Sequence, residues 1–320
     1  MRVKVLVAGC LLSSITNTYA DDLQRIPRIR TEVIGSFSPR GWTVPTAINN
    51  RGVVVGFIAS DTTSGFSAFT WTHDDGFRLL LDDAIALDIN SRGDIVGERY
   101  GCTTYPWGYS CAPRGFLWNA QDGLVDLADF TPAAINDTGE MAGICLGAQV
   151  PSACALYDGA LTEWRCDLPE CGSSASGINA RGDVVGFRST PDGTEAMLFL
   201  RDGSQMSLGE GTAEDINDAG IIVGRIGRVS RAAVWTGHGV FENVQHAAAW
   251  AVNARGEAVG VQFGDGPNAA FFWDARHDVF VYLDPAGSGS EATDINDRGD
   301  IVGTISQLGV AVIWHLDFDQ

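Results

Sequence analysis

Apolar residues in this chain come in short runs cut by Gly, Asn and Asp, and no stretch holds them at helical spacing. That pattern predicts short strands joined by tight turns. One phrase recurs seven times: an apolar residue, Asn, two free positions, Gly, an apolar run and a second Gly. The first copy is Ile48-Asn49-Asn50-Arg51-Gly52-Val53-Val54-Val55-Gly56. The later ones begin at Ile89-Asn90, Ile135-Asn136, Ile178-Asn179, Ile216-Asn217, Val252-Asn253 and Ile295-Asn296. Successive asparagines lie 41, 46, 43, 38, 36 and 43 residues apart. A period near forty marks an array of units that cannot bury their apolar faces alone.

Each unit reads as four strands, a to d. In the second, Ala86-Leu87-Asp88-Ile89 is strand a and Asp94-Ile95-Val96-Gly97 is strand b. Between them Asn-Ser-Arg-Gly has hairpin chemistry: Asn bonds the backbone two residues on, and Gly takes a left-handed conformation. Strand c ends on an aromatic residue, as in Ala68-Phe69-Thr70-Trp71, Gly115-Phe116-Leu117-Trp118 and Ala311-Val312-Ile313-Trp314; the third and fourth units end at Tyr157 and Phe199. Strand d follows a second turn, as in Phe77-Arg78-Leu79-Leu80-Leu81. Four-strand units repeated radially make a β-propeller, and seven copies imply an all-β, seven-bladed β-propeller of four-stranded antiparallel blades. The last copy lacks strand d, while a spare strand, Arg30 to Gly35, precedes the first. The N-terminal strand is therefore expected to complete the last blade and remove the open sheet edges.

The pattern Ile-Asn-x-x-Gly-x-Val-Val-Gly, followed by an Ala-Phe-x-Trp strand and a Gly-x-x-x-Asp-Leu strand, resembles the HAF repeat of bacterial extracellular proteins. The likeness runs from Thr31 to Trp314, with Ser67, Arg114 or Asn268 where that repeat carries His. It implies a propeller-like repeat architecture and no particular activity.

Composition adds a compartment. Arg2 and Lys4, an apolar core from Val5 to Ile15 and Thr18-Tyr19-Ala20 read as a secretory signal over 1–20, cleaved after Ala20, leaving 21–320 as one propeller domain. Lipidation at Cys10 is the lesser alternative. No later stretch is apolar enough to span a bilayer as a helix. Six cysteines remain after cleavage: Cys102 and Cys111, Cys145 and Cys154, Cys166 and Cys171. Their placement about equivalent loops predicts three local disulfides in an oxidising, secreted or periplasmic, setting. Without a Cys-x-x-Cys pair or a nearby His, no metal is expected, and no cofactor motif occurs. Beyond the signal the chain carries 19 Arg, no Lys and 40 acids, a net charge of −21, which argues against nucleic acid as a partner.

Three features carry candidate chemistry. Tyr105, Trp107 and Tyr109, between Cys102 and Cys111, suit stacking on a glycan or protein partner; the competing reading folds Trp107 onto its own blade. Asp88, Asp215 and Asp294, each before an Ile-Asn, fall on the innermost strand and could serve a channel as acid and base, or hold the turn by hydrogen bonds. Arg51, Arg92, Arg181, Arg255 and Arg298 recur in the turn and suggest either a basic ring for an anionic glycan or local pairs with Asp94, Asp183, Glu257 and Asp300. The Arg within Asp294-Ile-Asn-Asp-Arg-Gly-Asp300 opposes a calcium-loop reading. The expected function is a binding or scaffold module that meets a glycan or extracellular protein through its loop face. The alternatives are an extracellular polysaccharide hydrolase or lyase using the channel carboxylates, and a purely structural envelope protein.

Overall fold

A computed structural model describes residues 27–36, 41–59, 65–105, 108–146, 150–166, 171–191, 193–227, 230–237, 239–264, 266–284 and 289–318, with backbone alone for 102–105, 108–112 and 241–244. The expected signal segment, with Cys10, lies outside the described residues. All elements are strands, and no helix occurs among the described residues. β1 (Arg28–Gly35) comes first. β2 (Trp42–Ile48), β3 (Val54–Ala59), β4 (Phe66–Thr72) and β5 (Gly76–Asp82) form one antiparallel sheet, and β6 (Ala84–Ile89), β7 (Ile95–Tyr105), β8 (Gly108–Asn119) and β9 (Gly123–Asp126) form the next. β10 (Phe130–Ile135), β11 (Met141–Cys145), β12 (Ser152–Tyr157) and β13 (Ala160–Trp164) make a third.

A sheet of seven strands follows: β14 (Gly172–Ile178), β15 (Val184–Thr190), β16 (Gly193–Phe199), β17 (Gln205–Ile216), β18 (Ile222–Ile226), β19 (Arg231–Thr236) and β20 (Gly239–Gln245). Its middle strand β17 pairs with β16 as far as Glu210 and with β18 from Gly211 onward. One continuous strand thus ends the fourth sequence unit and begins the fifth. β21 (Ala247–Val252), β22 (Glu257–Gln262), β23 (Ala269–Asp274) and β24 (Val279–Tyr282) form another sheet of four, and β25 (Ser290–Ile295), β26 (Asp300–Ile305) and β27 (Val310–Asp317) form the last with β1. The architecture is a β-propeller with small antiparallel blades, as the strand pattern predicts.

β1 lies antiparallel to β27 from Arg28↔Asp317 to Gly35↔Ala311. A side-chain chain reinforces this junction. His315 on β27 sits between Asp300 (Nδ1 to Oδ1, 2.7 Å) and Glu32 on β1 (Nε2 to Oε2, 3.3 Å), and His73 meets the other Glu32 oxygen at 3.2 Å. Burial acts to raise the Glu32 carboxyl, but the hydrogen bonds and charges of His315 and His73 bring it below its usual range.

The core is distributed between sheets. Buried side chains divide into clusters that each draw on two consecutive units, such as Phe272 with Trp314 and Phe199 with Trp164. One cluster joins the first unit to the seventh through Ile48, Phe69 and Trp71 against Val302 and Ile313. Both faces of each sheet are therefore buried. This is why strand b reads as a continuous apolar run: Val54 faces the seventh unit and Val55 the second.

The second Gly of the repeated phrase has a backbone cause. In every unit strand a carries a bulge at the same place, as between Pro45 and Ala47 or Ala292 and Asp294. The carbonyl just before the bulge lies where a Cβ would sit on the facing Gly: 2.1 Å for Gly56 against Val44, and 2.0 Å for Gly260 against Ala248. Only glycine admits that approach. Gly260→Ala is expected to cost roughly 2–3 kcal/mol by overpacking in denaturant melts. Gly266→Ala, whose Cβ meets nothing within 4 Å, should be near neutral.

Candidate functional site at the mouth of the channel

The repeated turns converge on one end of a central channel. Each is closed by Gly N–H donating to the Asn carbonyl, as in Gly52 to Asn49 at 2.9 Å, with the Gly left-handed (φ +78° for Gly52). The Asn side chain then works at both ends. Its Oδ1 accepts N–H bonds from the residues two and four positions on, as Asn49 does from Arg51 (3.0 Å) and Val53 (3.1 Å). These donors fix which end of the amide is oxygen. Its Nδ2 donates to the backbone carbonyl of the next unit's Asn. The bonds run Asn49 to Asn90 (3.0 Å), to Asn136 (3.2 Å), to Asn179 (3.0 Å), to Asn217 (3.4 Å), to Asn253 (2.9 Å), to Asn296 (3.3 Å) and from Asn296 back to Asn49 (3.2 Å). All seven asparagines are buried. Sequence reading identified the turn role of Asn. It missed this second role, which needs the units to be neighbours in space.

Inside this cycle is a cavity of about 220 Å³, lined by every one of the asparagines except Asn179, by Asp88 and Asp294, and by the turn acids Asp137, Asp218 and Asp297. The three predicted carboxylates occupy equivalent places and make the same bonds. Asp294 accepts from Ile295 N–H (2.7 Å) and, across the junction, from Ile48 N–H (2.7 Å). Asp88 accepts from Ile89 (2.7 Å) and Ile135 (2.8 Å), and Asp215 from Ile216 (2.7 Å) and Val252 (2.9 Å). Half of their bonding therefore joins consecutive units, which corrects the expectation that it stays within one turn. Gly177 holds that position in the fourth unit, and a Cβ there would lie 3.0 Å from the Asp215 Cα. Burial outweighs the N–H bonds: it carries Asp88 up to about 6 and, with the charges of Asp88 and Asp215 added, Asp294 up to about 8, and Asp215 also rises.

Four of the five turn arginines pair locally; the first unit has Val53 where the other four carry the acid, and Arg51 has no ion pair among the described residues. Arg92, Arg181, Arg255 and Arg298 meet Asp94, Asp183, Glu257 and Asp300 at 2.6, 2.8, 2.6 and 3.0 Å. They also reach the next turn: Arg181 donates to the Asp218 carbonyl (2.5 Å) and Arg255 to that of Asp297. A free basic ring for an anionic glycan is thus replaced by four paired guanidinium groups, and the calcium-like string by an Arg298–Asp300 pair. The third unit has Thr138 in place of Arg, and its acid Glu140 is instead met by Arg201 from the fourth unit (2.5 Å), which also lies over the Tyr157 ring at 4.6 Å. Nothing in the local sequence around Arg201 signals this substitution.

Of the predicted disulfides, Cys145–Cys154 and Cys166–Cys171 are formed, with Cα separations of 5.9 and 5.8 Å. Cys102 and Cys111 stand opposite each other in the β7–β8 register, but their side chains, with those of Tyr105 and Tyr109, lie outside the described residues, as does Trp107 altogether. Where a loop was expected between Cys102 and Cys111, the backbone is a hairpin paired as far as Tyr105↔Gly108. Among the described residues no group of His, Cys, Asp and Glu is arranged to hold a metal ion.

Two outcomes follow from this geometry. Asn217→Asp keeps the oxygen that caps the turn and loses the donor to Asn253, whereas Asn217→Ala loses both; the alanine variant should lose about 3 kcal/mol in equilibrium unfolding and the aspartate variant less. Asp294 carries a folded pKa above its ordinary value of 3.8, so the folded state binds the proton more tightly. Its contribution is full below about pH 4 and is lost as pH rises through about 8. The fall in thermal midpoint between pH 5 and 8.5 should therefore shrink in Asp294→Asn.

No family model matches this chain, and no curated protein matches its sequence. Among solved structures it is similar to TolB from Acinetobacter baumannii, with 9% sequence identity and a TM-score of 0.48 over 83% of this chain and 65% of that one. The chain thus spans less than two thirds of TolB's length.

Proposed function

We propose that this chain is an exported, seven-bladed, closed propeller that acts as a binding or scaffold module for a glycan or an extracellular protein. Seven units, the cyclic run of asparagine bonds and the cluster joining Trp71 to Val302 support seven blades, with β17 shared by two of them. The pairing of β1 with β27 supports closure by the N-terminal strand. Two disulfides support an oxidising, secreted or periplasmic setting. The HAF-repeat resemblance fits the same picture. Among the described residues no helix is long and apolar enough to cross a membrane.

One observation carries the binding reading: β7 and β8 pair over eleven residues, Ile95↔Trp118 to Tyr105↔Gly108, where the first unit's equivalent hairpin, β3 with β4, pairs over six. That arm is on the b–c side, away from the asparagine turns, and its tip sequence is Tyr105-Pro106-Trp107-Gly108-Tyr109. Backbone pairing along the arm reduces the ordering left for a binding event. Glycan-array and pull-down profiles of the full chain should lose their signals in Trp107→Ala; unchanged profiles would remove the arm from the site.

A second reading, a polysaccharide hydrolase or lyase, draws on the raised carboxyls of Asp88 and Asp294, since a carboxylic acid still protonated near neutral pH can serve as a general acid. It requires turnover of a polysaccharide panel that disappears in folded Asp88→Asn.

A further inference from the structure

A cleft of about 330 Å³ opens at the turn end of the junction between the sixth and seventh units, lined by Arg255, Glu257, Phe272, Asp274, His277, Val279, Arg298 and Phe318. Its size is at the lower end of ligand pockets, about 300–1,000 Å³. Its floor is the edge of the core: Phe272 and Val279 belong to the cluster that packs against Trp314. Phe318, 41% exposed just beyond β27, forms a wall with its ring centroid 6.3 Å from that of Phe272.

The polar side of this cleft is held in place and only partly used. Asp274, buried, accepts from the Arg276 N–H (3.0 Å) and orients His277, whose Nδ1 lies 2.5 Å from its carboxylate. Among the described residues His277 Nε2 has no hydrogen-bond partner. Glu257 is 6% exposed, and its Oε2 takes the bonds from Asn253 Nδ2 (2.7 Å) and Arg255 (2.6 Å). Among the described residues Glu257 Oε1 takes no hydrogen bond, and Glu257 lines the cleft. Arg298 directs Nε and one terminal nitrogen to Asp300, at 3.1 and 3.0 Å, and its other terminal nitrogen has no hydrogen-bond partner among the described residues. Glu257, Arg298 and His277, which line the cleft from side chains already held by Asn253, Asp300 and Asp274, thus bring hydrogen-bonding capacity beside an apolar floor.

The charges balance: Arg255 and Arg298 against Glu257 and Asp274. A bare cation or anion meets its own sign as often as the opposite one. A ligand that alternates donors and acceptors about an apolar face fits both halves of the lining. We propose that this cleft is a saccharide site that takes one pyranose ring, its C–H face against Phe318 and Phe272 and its hydroxyls on Glu257 Oε1, Arg298 and His277 Nε2. It shares a ligand class with the proposed aromatic arm but none of its residues, and neither depends on the other.

Saturation-transfer NMR on the full chain with glucose, galactose, glucuronate and benzoate tests it. At least one of the three sugars is expected to receive saturation on its ring C–H protons, with affinity at least tenfold weaker in His277→Ala and Phe318→Ala and unchanged in Trp107→Ala. Both substituted side chains are substantially exposed, and Phe318 lies outside the strands, so Phe318→Ala tests the site even if His277→Ala folds poorly. No transfer to any sugar overturns the proposal, as does sugar binding that survives both substitutions. Benzoate binding without sugar binding assigns an anion site instead and overturns it equally. Sugar binding lost only in Trp107→Ala places the ligand on the arm and removes it from this cleft.

Discussion

Everything at the turn end of the channel hangs on one amide group used twice. The Asn Oδ1 closes its own hairpin, and the Asn Nδ2 holds the next unit's hairpin by its backbone carbonyl. Because each asparagine is buried, neither bond competes with water, and an unmade bond would leave a buried polar group. The two uses cannot be separated without changing the side chain. Local turn geometry and the angular placement of consecutive units are thereby coupled through a single residue type. The bulge in strand a belongs to the same device: it brings a carbonyl onto the strand-b glycine, so the phrase needs both Asn and its second Gly.

The remaining contacts at each junction are variations on a shared need. Where the residue before Ile-Asn is Asp, its carboxylate takes an N–H from the following unit; where it is Gly177, the backbone comes close instead. Where the turn has Arg, its guanidinium covers the next turn, and where the third unit has Thr138 the fourth unit supplies Arg201. The first and seventh units add the Asp300–His315–Glu32–His73 chain at the strand contributed by the N-terminal end. These substitutions keep buried acids such as Glu140 paired, which matters because a buried carboxylate stripped of its partner is costly.

Raised Asp88 and Asp294 set a tension within this arrangement. Their bonds to backbone N–H groups favour the charged form, and their burial, with the charges of other channel acids, favours the neutral one; burial prevails. Such carboxyls are held ready to change charge near neutral pH. In a structural role they tune junctions, and in a chemical role they would supply acid to the channel. The cleft at Glu257 is of a different kind, since there charges are paired and what is left over is hydrogen-bonding capacity beside exposed aromatic surface.

The seven-copy phrase was enough to determine the all-β class, the strand order within a unit and the hairpin turn, because these depend on residues within ten positions of one another. The pairing of β1 with β27 was legible too, from a spare strand at one end and a missing one at the other. Local cysteine spacing was sufficient for Cys145–Cys154 and Cys166–Cys171. It could not tell that Cys102 and Cys111 stand on paired strands instead of beside a loop, since strand length there depends on register and not on composition. Only the tertiary structure decided the asparagine cycle, the reach of Asp294 to Ile48, the rescue of Glu140 by Arg201 and the cleft around Glu257. Each joins residues some forty or more positions apart, or leaves an atom unspent only because of what packs around it. Sequence spacing fixes who is near within a unit; the rotation from one unit to the next fixes what each side chain finds on the other side.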